Sequence, residues 1–394
     1  MENTKLKSFF RNYFRFENSY FTVGGWKKEF AYFLRMGSLG AHLVDRVKFR
    51  IYPKLNIIAD FPSHLDIETA SACQMRCPMC YTTYMDESLK GIMKYELYTK
   101  LVDEASSLGV YSIKLSWRGE PLLNKDIVKM VKYAKNKGIK EVAFLSNAEF
   151  LTEEMAEALV DAGLDWLSIS ADGTGEIYNE IRRPAIFEET LERVAYMKKY
   201  RDSKGLTRPL LRVQSIMSAV EDNPDDYKNA WAPIVDRMNI IADETRDFNE
   251  KDLQFDRFFV CAKPWQRMTI AYDGKVHQCI SDYGAKNVIG DTNETSLYDV
   301  WHGPKNQAVR DAFLQHKYLE ENAPCNICSY GVITEKSKLK GGDQMYVRRY
   351  ASIAPVVIEH TVTLKAPKPA KIRKSVADER ARKVLEKEKA NDIA

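Results

Sequence analysis

Residues 64–80 read HLDIETASACQMRCPMC. Residues 64–69 carry apolar side chains at every second position and read as a short strand. The chain then holds three cysteines, Cys73, Cys77 and Cys80, in a CxxxCxxC loop. A [4Fe–4S] cube has about four irons, and electron-transfer clusters usually bind a thiolate on each one. Three thiolates leave one iron open for a small molecule, just as catalytic zinc keeps one position free. The loop is short enough for three sulfurs to converge on one cube, and Pro78 stiffens it. A zinc site with a remote fourth ligand is the rival reading.

Outward from this loop, residues 63–245 alternate strands with helices. Strands are expected at 64–69, 112–117, 141–145, 166–169, 211–217 and 238–241. Helices are expected at 95–107, 127–136, 153–161, 188–199 and 224–231. Repeated strand–helix units imply a parallel sheet. Six strands are too few for a closed eight-stranded barrel, so the expected fold is α/β, a partial (β/α)6 barrel of the TIM type. In such folds the chemistry sits at the C-terminal strand ends, where the cysteine loop falls.

Other regions differ. Residues 1–62 are basic and aromatic, with apolar residues at helical spacing (Phe30, Phe33, Leu34), and read as a helical region. They are expected to pack on the main domain; peripheral contact with an anionic membrane surface is the other reading. Residues 246–335 read as a small α+β unit. In it MTIAYDGKVHQCI forms a hairpin around Asp273-Gly274, a helical stretch covers 297–314, and CNIC follows. Residues 336–394 read as an extension ending in a charged tail that cannot bury enough apolar surface to fold alone.

The chain has 394 residues and a formal net charge of +4. That length supports a large core without disulfides, and the small net charge gives no ground for expecting nucleic acid. No apolar run approaches the roughly 18 residues of a membrane span, and the first residues lack a signal-peptide pattern. A cytoplasmic protein is expected. The 7 cysteines fall in tight groups or loop-like contexts, which points to metal rather than disulfides. Cys261 and Cys279 flank Gly274, and Cys325 and Cys328 form a CxxC. Four thiolates saturate a second cube or a zinc ion. No pair among the 6 histidines has metal-ligand spacing. His64 reads as a structural histidine or a base. Asp172 reads as a substrate contact or a helix cap, and Gly173 and Gly175 as a loop.

Cys73, Cys77 and Cys80, placed after the first strand, resemble the signature of the radical S-adenosylmethionine (SAM) enzymes. Further motifs follow in that family's order. WRGEPLL (117–123) resembles the GGEP motif, with Arg118 in place of the first glycine. SNAEFLTEEMAEALVDAGLDWLSISADG (146–173) resembles the stretch that begins TNG, and YNEIRRP (178–184) resembles the segment after it. Together they cover roughly residues 65–220. The resemblance implies a [4Fe–4S] cluster on the three cysteines. Its open iron chelates SAM, which an electron cleaves to a 5′-deoxyadenosyl radical. Gly119 and Glu120 would meet the SAM amino group, and Asn147, Ser168 and Ser170 its ribose or methionyl part. Arg182 or Arg183 would reach its carboxylate. Met79 stands where an aromatic residue near adenine is usual. The C-terminal unit resembles the SPASM/twitch extension in its short form, which implies one auxiliary [4Fe–4S] cluster on Cys261, Cys279, Cys325 and Cys328; structural zinc is the alternative.

The implied activity is hydrogen abstraction from a polar substrate. CPMC with RGEP and a short twitch unit resembles enzymes of polysaccharide and antibiotic pathways, which implies oxidation of a sugar- or cyclitol-like alcohol. A peptide substrate, and thus a maturase, is the alternative, and a non-enzymatic metal-binding scaffold is a third reading. A one-electron donor such as flavodoxin or ferredoxin is an expected partner. Tyr81, Trp117 and Arg118 are expected to line the cavity.

Overall fold

The computed structural model describes residues 20–22, 39–241, 255, 259–322, 324–331, 334–338 and 346–350. Helices expected around Phe30–Leu34 and in the charged tail lie outside these residues.

In chain order, β1 (Tyr20–Thr22) and α1 (Leu39–Arg50) precede β2 (His64–Ile67), α2 (Tyr95–Ser107), β3 (Ser112–Lys114) and α3 (Ile127–Asn136). β4 (Glu141–Ser146), α4 (Glu153–Asp161), β5 (Trp166–Ser170), α5 (Gly175–Ile181) and α6 (Phe187–Ser203) follow. β6 (Leu210–Ile216), α7 (Pro224–Trp231) and β7 (Arg237–Ile241) complete the barrel. Strands β2 to β7 are parallel and lie in sequential order, the open partial barrel that the alternating pattern predicts.

The helices form where apolar residues recur every three or four positions. Tyr98, Leu101, Val102 and Ala105 are buried on α2, and Ile127, Met130, Val131 and Ala134 on α3. At α4 the Thr152 side chain caps the first turn by accepting from Met155 N, and Glu153 and Glu154 follow where the helix dipole favours them. Along the strands Leu65, Ile67, Ile113, Phe144, Leu167 and Val213 join the helices in one core. The period of two sends Asp66, Lys114, Ser168, Arg212, Gln214 and Asn239 to the opposite, concave face, which is polar.

The C-terminal unit continues through α8 (Lys263–Gln266), β8 (Arg267–Ile270), β9 (Lys275–His277), β10 (Val288–Asp291), α9 (Leu297–His302), α10 (Pro304–Leu314) and α11 (Tyr318–Glu321). Gly274, at φ +92°, makes the tight turn of the β8–β9 hairpin. This hairpin does not build a sheet of its own: β8 pairs in parallel with β2, so one sheet of ten strands runs from β1 to β10. Helices α9 and α10 break at Gly303-Pro304, where one helical stretch is expected. Within the region expected to be helical, Tyr20–Thr22 is instead a strand, antiparallel to β7 at the barrel's open edge. A further antiparallel pair, β11 (Thr334–Lys338) and β12 (Tyr346–Tyr350), crosses the boundary expected at 335. No helix among the described residues is long and apolar enough to cross a membrane.

Candidate cluster and SAM site

The cysteine loop leaves the C-terminal end of β2 and is pinned on three sides. Ala72 O accepts from Glu120 N (2.9 Å), Arg76 N donates to Arg183 O (2.9 Å), and Ser71 N donates to Gly91 O (2.9 Å). Gly119 is required by this crossing: a Cβ there would lie 2.3 Å from Ala72 O and 2.5 Å from Ala70 O. Cys80 N donates to Cys77 O (3.0 Å), which folds the last two cysteines into a turn.

Glu120 is fully buried. Its Oε1 accepts from Ser146 Oγ (2.8 Å) and Leu122 N (3.1 Å), and its Oε2 accepts from Asn147 N (2.8 Å). Burial, opposed by these three donors, pushes its carboxyl up to about 7. Ala148 holds the left-handed φ of 63° that favours glycine, in the place of the last residue of TNG. That turn aims Asn147 at the loop: its Oδ1 accepts from Gln74 Nε2 (3.1 Å), and its Nδ2 lies 3.6 Å from Cys73 Sγ.

Arg182 reaches the same loop from the end of α5. One terminal nitrogen is 2.5 Å from the buried Asp172, the other 3.8 Å from Cys77 Sγ. Its Nε is buried and has no protein partner, an orphaned donor suited to an anion. The Arg183 side chain is exposed. Asp172 also accepts from Ile216 N (2.8 Å), so it positions Arg182 and does not cap a helix. Gly173 lies in a loop as expected, but Gly175 opens α5. Ser168 is buried and accepts from Arg212 Nε (2.8 Å); Ser170 and Met79 are half-buried. As free thiols, Cys73 is pushed up to about 12 by burial and the nearby Glu120 charge, and Cys77 to about 11 by burial. Such thiols stay protonated near neutrality, so a metal has to displace their protons.

The second group lies close to the barrel mouth. Cys261, Cys279, Cys325 and Cys328 line one cavity with Lys263, Gln278 and Ser281. Burial pushes Cys279 up to about 12 against the pull of Lys263, and raises Cys325 as well. Among the described residues no three His, Cys, Asp or Glu side chains are grouped closely enough for one ion. Four cysteine sulfurs on one cavity are the donor set that a [4Fe–4S] cube takes. All 7 cysteines are free.

Residues 117–118 join the two sites. Arg118 makes a buried two-pronged pair with Glu68 (2.7 and 2.8 Å) and donates to Tyr283 O (3.2 Å). Trp117 Nε1 donates to Ile280 O (2.7 Å), next to Cys279, while Arg118 stacks on the Trp117 ring at 4.1 Å. Tyr81, beside Cys80, stacks on Tyr283 with ring centroids 5.9 Å apart. His64 is far from any of this chemistry: Ser112 Oγ at 2.6 Å, Asp66 and the Phe49 ring hold it, which makes it structural. Glu68, Gln74, Lys263 and Gln278 carry no motif and escape a reading by spacing. A glutamate at the end of the first strand, facing an arginine in the GGEP position, was the available signal for the first of them.

Two family models match. Residues 67–216 match the radical SAM superfamily and residues 261–329 the SPASM iron–sulfur cluster-binding domain. The chain therefore carries a radical SAM domain followed by a SPASM-type unit, and these domains imply a [4Fe–4S] cluster, SAM and auxiliary iron–sulfur as cofactors. Among curated relatives, a tungsten-containing aldehyde ferredoxin oxidoreductase cofactor-modifying protein of Pyrococcus furiosus is 27% identical over 39% of this chain and 44% of its own. A GTP 3′,8-cyclase of Clostridium botulinum is 37% identical over 29% of this chain and 36% of its own. The chain thus spans less than half the length of these two relatives. The solved structure of native anSMEcpe with bound AdoMet is 16% identical, with a TM-score of 0.51, covering 68% of this chain and 88% of that one; it shares the fold.

Proposed function

We propose that this protein cleaves SAM reductively and oxidises a polar substrate, a sugar- or cyclitol-like alcohol, to a ketone. The observation that carries the reading is the pairing of a three-thiol loop at the mouth of a polar barrel with a four-thiol cavity joined to it through Trp117 and Arg118. When bound, the cluster on Cys73, Cys77 and Cys80 together with SAM would supply the hydrogen-abstracting radical, and the cluster on the other four cysteines would supply an acceptor for the one electron released as a proton leaves to a base.

The chain's own residues hold and orient. Asn147 and Gln74 fix the loop at Cys73. Arg182, steadied by Asp172, offers its buried Nε to the SAM carboxylate. Glu120 balances the SAM ammonium from a buried position that already favours Asn147. Ser168 and Ser170 face the ribose or methionyl part, and Met79 the adenine. Cys73, Cys77 and Cys80 bind the SAM cluster; Cys261, Cys279, Cys325 and Cys328 bind the auxiliary one. No cysteine remains to return a hydrogen atom, which favours oxidation over thiol-dependent epimerisation. The concave polar face, with Arg212 and the Gln214–Asn239 pair (2.9 Å), supports a hydroxyl-bearing small molecule. A flavodoxin- or ferredoxin-type donor supplies the electron for SAM cleavage, in a reducing cytoplasm that keeps seven thiols available.

Deuterated sugars and cyclitols, offered to the anaerobically reconstituted protein with SAM and reductant, test this. Deuterium in 5′-deoxyadenosine together with a ketone product is expected. Label transfer only from peptides would replace the alcohol reading with the maturase one.

A further inference from the structure

The four-thiol cavity holds a cation and an amide that the cluster-ligand pattern does not call for. Lys263 is 8% exposed and lines the cavity with all four cysteines. Its Nζ lies 3.1 Å from Ser281 Oγ and 3.5 Å from the centre of the Tyr330 ring. Both contacts hold the ammonium at the cavity rather than in solvent. Gln278, also buried, donates from Nε2 to Cys325 Sγ at 2.8 Å. Its orientation is fixed from behind, because its Oε1 accepts from Asn287 Nδ2 (2.5 Å) and its backbone N donates to Asn287 O (3.1 Å). Ser281 N adds a third donor, 3.3 Å from Cys279 Sγ.

Two physical effects then act in one direction. A cube bound by four thiolates carries net negative charge, and adding an electron makes it more negative. A buried cation stabilises the more negative state, and so do N–H groups aimed at the sulfurs. Low dielectric around the cavity makes each effect larger than it would be in water.

We propose that Lys263, assisted by Gln278, raises the electron affinity of the auxiliary cluster and so makes it an acceptor rather than a passive brace. Lys263 acts through the cluster and does not touch substrate. The consequence for turnover rests on the alcohol-oxidation reading, in which one electron passes from the substrate radical to that cluster as a proton leaves to a base. The property itself does not rest on it.

The test uses the full chain carrying C73A, C77A and C80A, so that only the auxiliary cluster is present, with its one-electron midpoint potential followed by EPR during a redox titration. In that background K263M is expected to lower the potential by about 59 mV or more, a tenfold loss of electron affinity for a one-electron couple. K263R is expected to stay close to the parent, and Q278L to shift the same way as K263M by less. A K263M protein with full iron content and an unchanged potential overturns the proposal. If K263M loses iron while K263R keeps it, the charge requirement stands. If both lose it, Lys263 is a packing residue and the proposal fails. A parent that holds zinc in place of iron contradicts the auxiliary-cluster reading itself, an outcome distinct from an unchanged potential.

Discussion

Individual residues around the cysteine loop carry specific, separable jobs. Gly119 is small because two carbonyls of the loop pass within 2.5 Å of where its Cβ would be. Gly119→Ala must therefore push the loop away. The expected result is loss of iron from the SAM site alone, a fall from about eight irons per chain to about four, measured on the reconstituted protein. An unchanged iron content would show that the loop yields without cost. Arg182→Met leaves Asp172 buried without its partner. We expect about 3–5 kcal/mol of destabilisation by chemical denaturation, and weak SAM binding even in the folded fraction. Asn147→Ala removes a contact to Cys73 without emptying the core, so SAM cleavage should fall about 10–100-fold with stability near that of the parent. The cysteines, Gly119 and Asn147 were legible because fixed spacing marks them. Arg182 and Arg183 were indistinguishable in sequence, since only the end of α5 decides which one turns inward.

At the scale of elements, the lower part of the barrel is held by polar rather than apolar contacts. Asp66 on β2 lies 2.6 Å from Lys114 on β3 and 3.3 Å from Arg267 on β8, so it fastens the C-terminal hairpin to the barrel sheet. Burial pushes its carboxyl up, but Lys114, Arg267 and His64 outweigh that and hold it well below the usual 3.8. Burial likewise holds His64 below the usual 6.5. Both folded-state values lie below the unfolded ones. Each group thus gives stability that is complete above its unfolded value, 6.5 for His64 and 3.8 for Asp66, and that drains away as pH falls through the folded value. In a Glu120→Gln/Glu141→Gln background, which removes two buried carboxyls that would add stability as they take up protons, the melting temperature of the metal-free chain should therefore decline in two stages on acidification, the first below about pH 6.5 and the second below about pH 3.8. A flat profile between pH 6.5 and 4.5 would count against the first stage. Asp66→Asn leaves two cations facing each other and should cost about 3–5 kcal/mol at pH 7, read from urea midpoints. Six parallel strands and most helices were visible as alternating periodicities. The pairing of β8 with β2 was not, because a strand's own pattern does not say which edge it will join. The short α5 was hidden by its glycines and charged residues.

Across the whole molecule, the two thiol sites behave as one assembly because residues 117–118 grip both. Glu68 and Arg118 are buried at the junction, and Arg118 and Trp117 bind the carbonyls of Tyr283 and Ile280 beside Cys279. Arg118→Met should loosen the 267–283 hairpin, seen as faster amide hydrogen exchange there while β4 to β6 keep their protection. The central claim is that three cysteines leave one iron open to SAM. It is tested most directly by measuring 5′-deoxyadenosine formed by the reduced, oxygen-free protein beside its C73A/C77A/C80A variant. The account predicts SAM cleavage by the parent, and none by the variant even though the variant keeps about four irons. A variant that cleaves SAM like the parent, or a parent with about eight irons that leaves SAM intact, would contradict it.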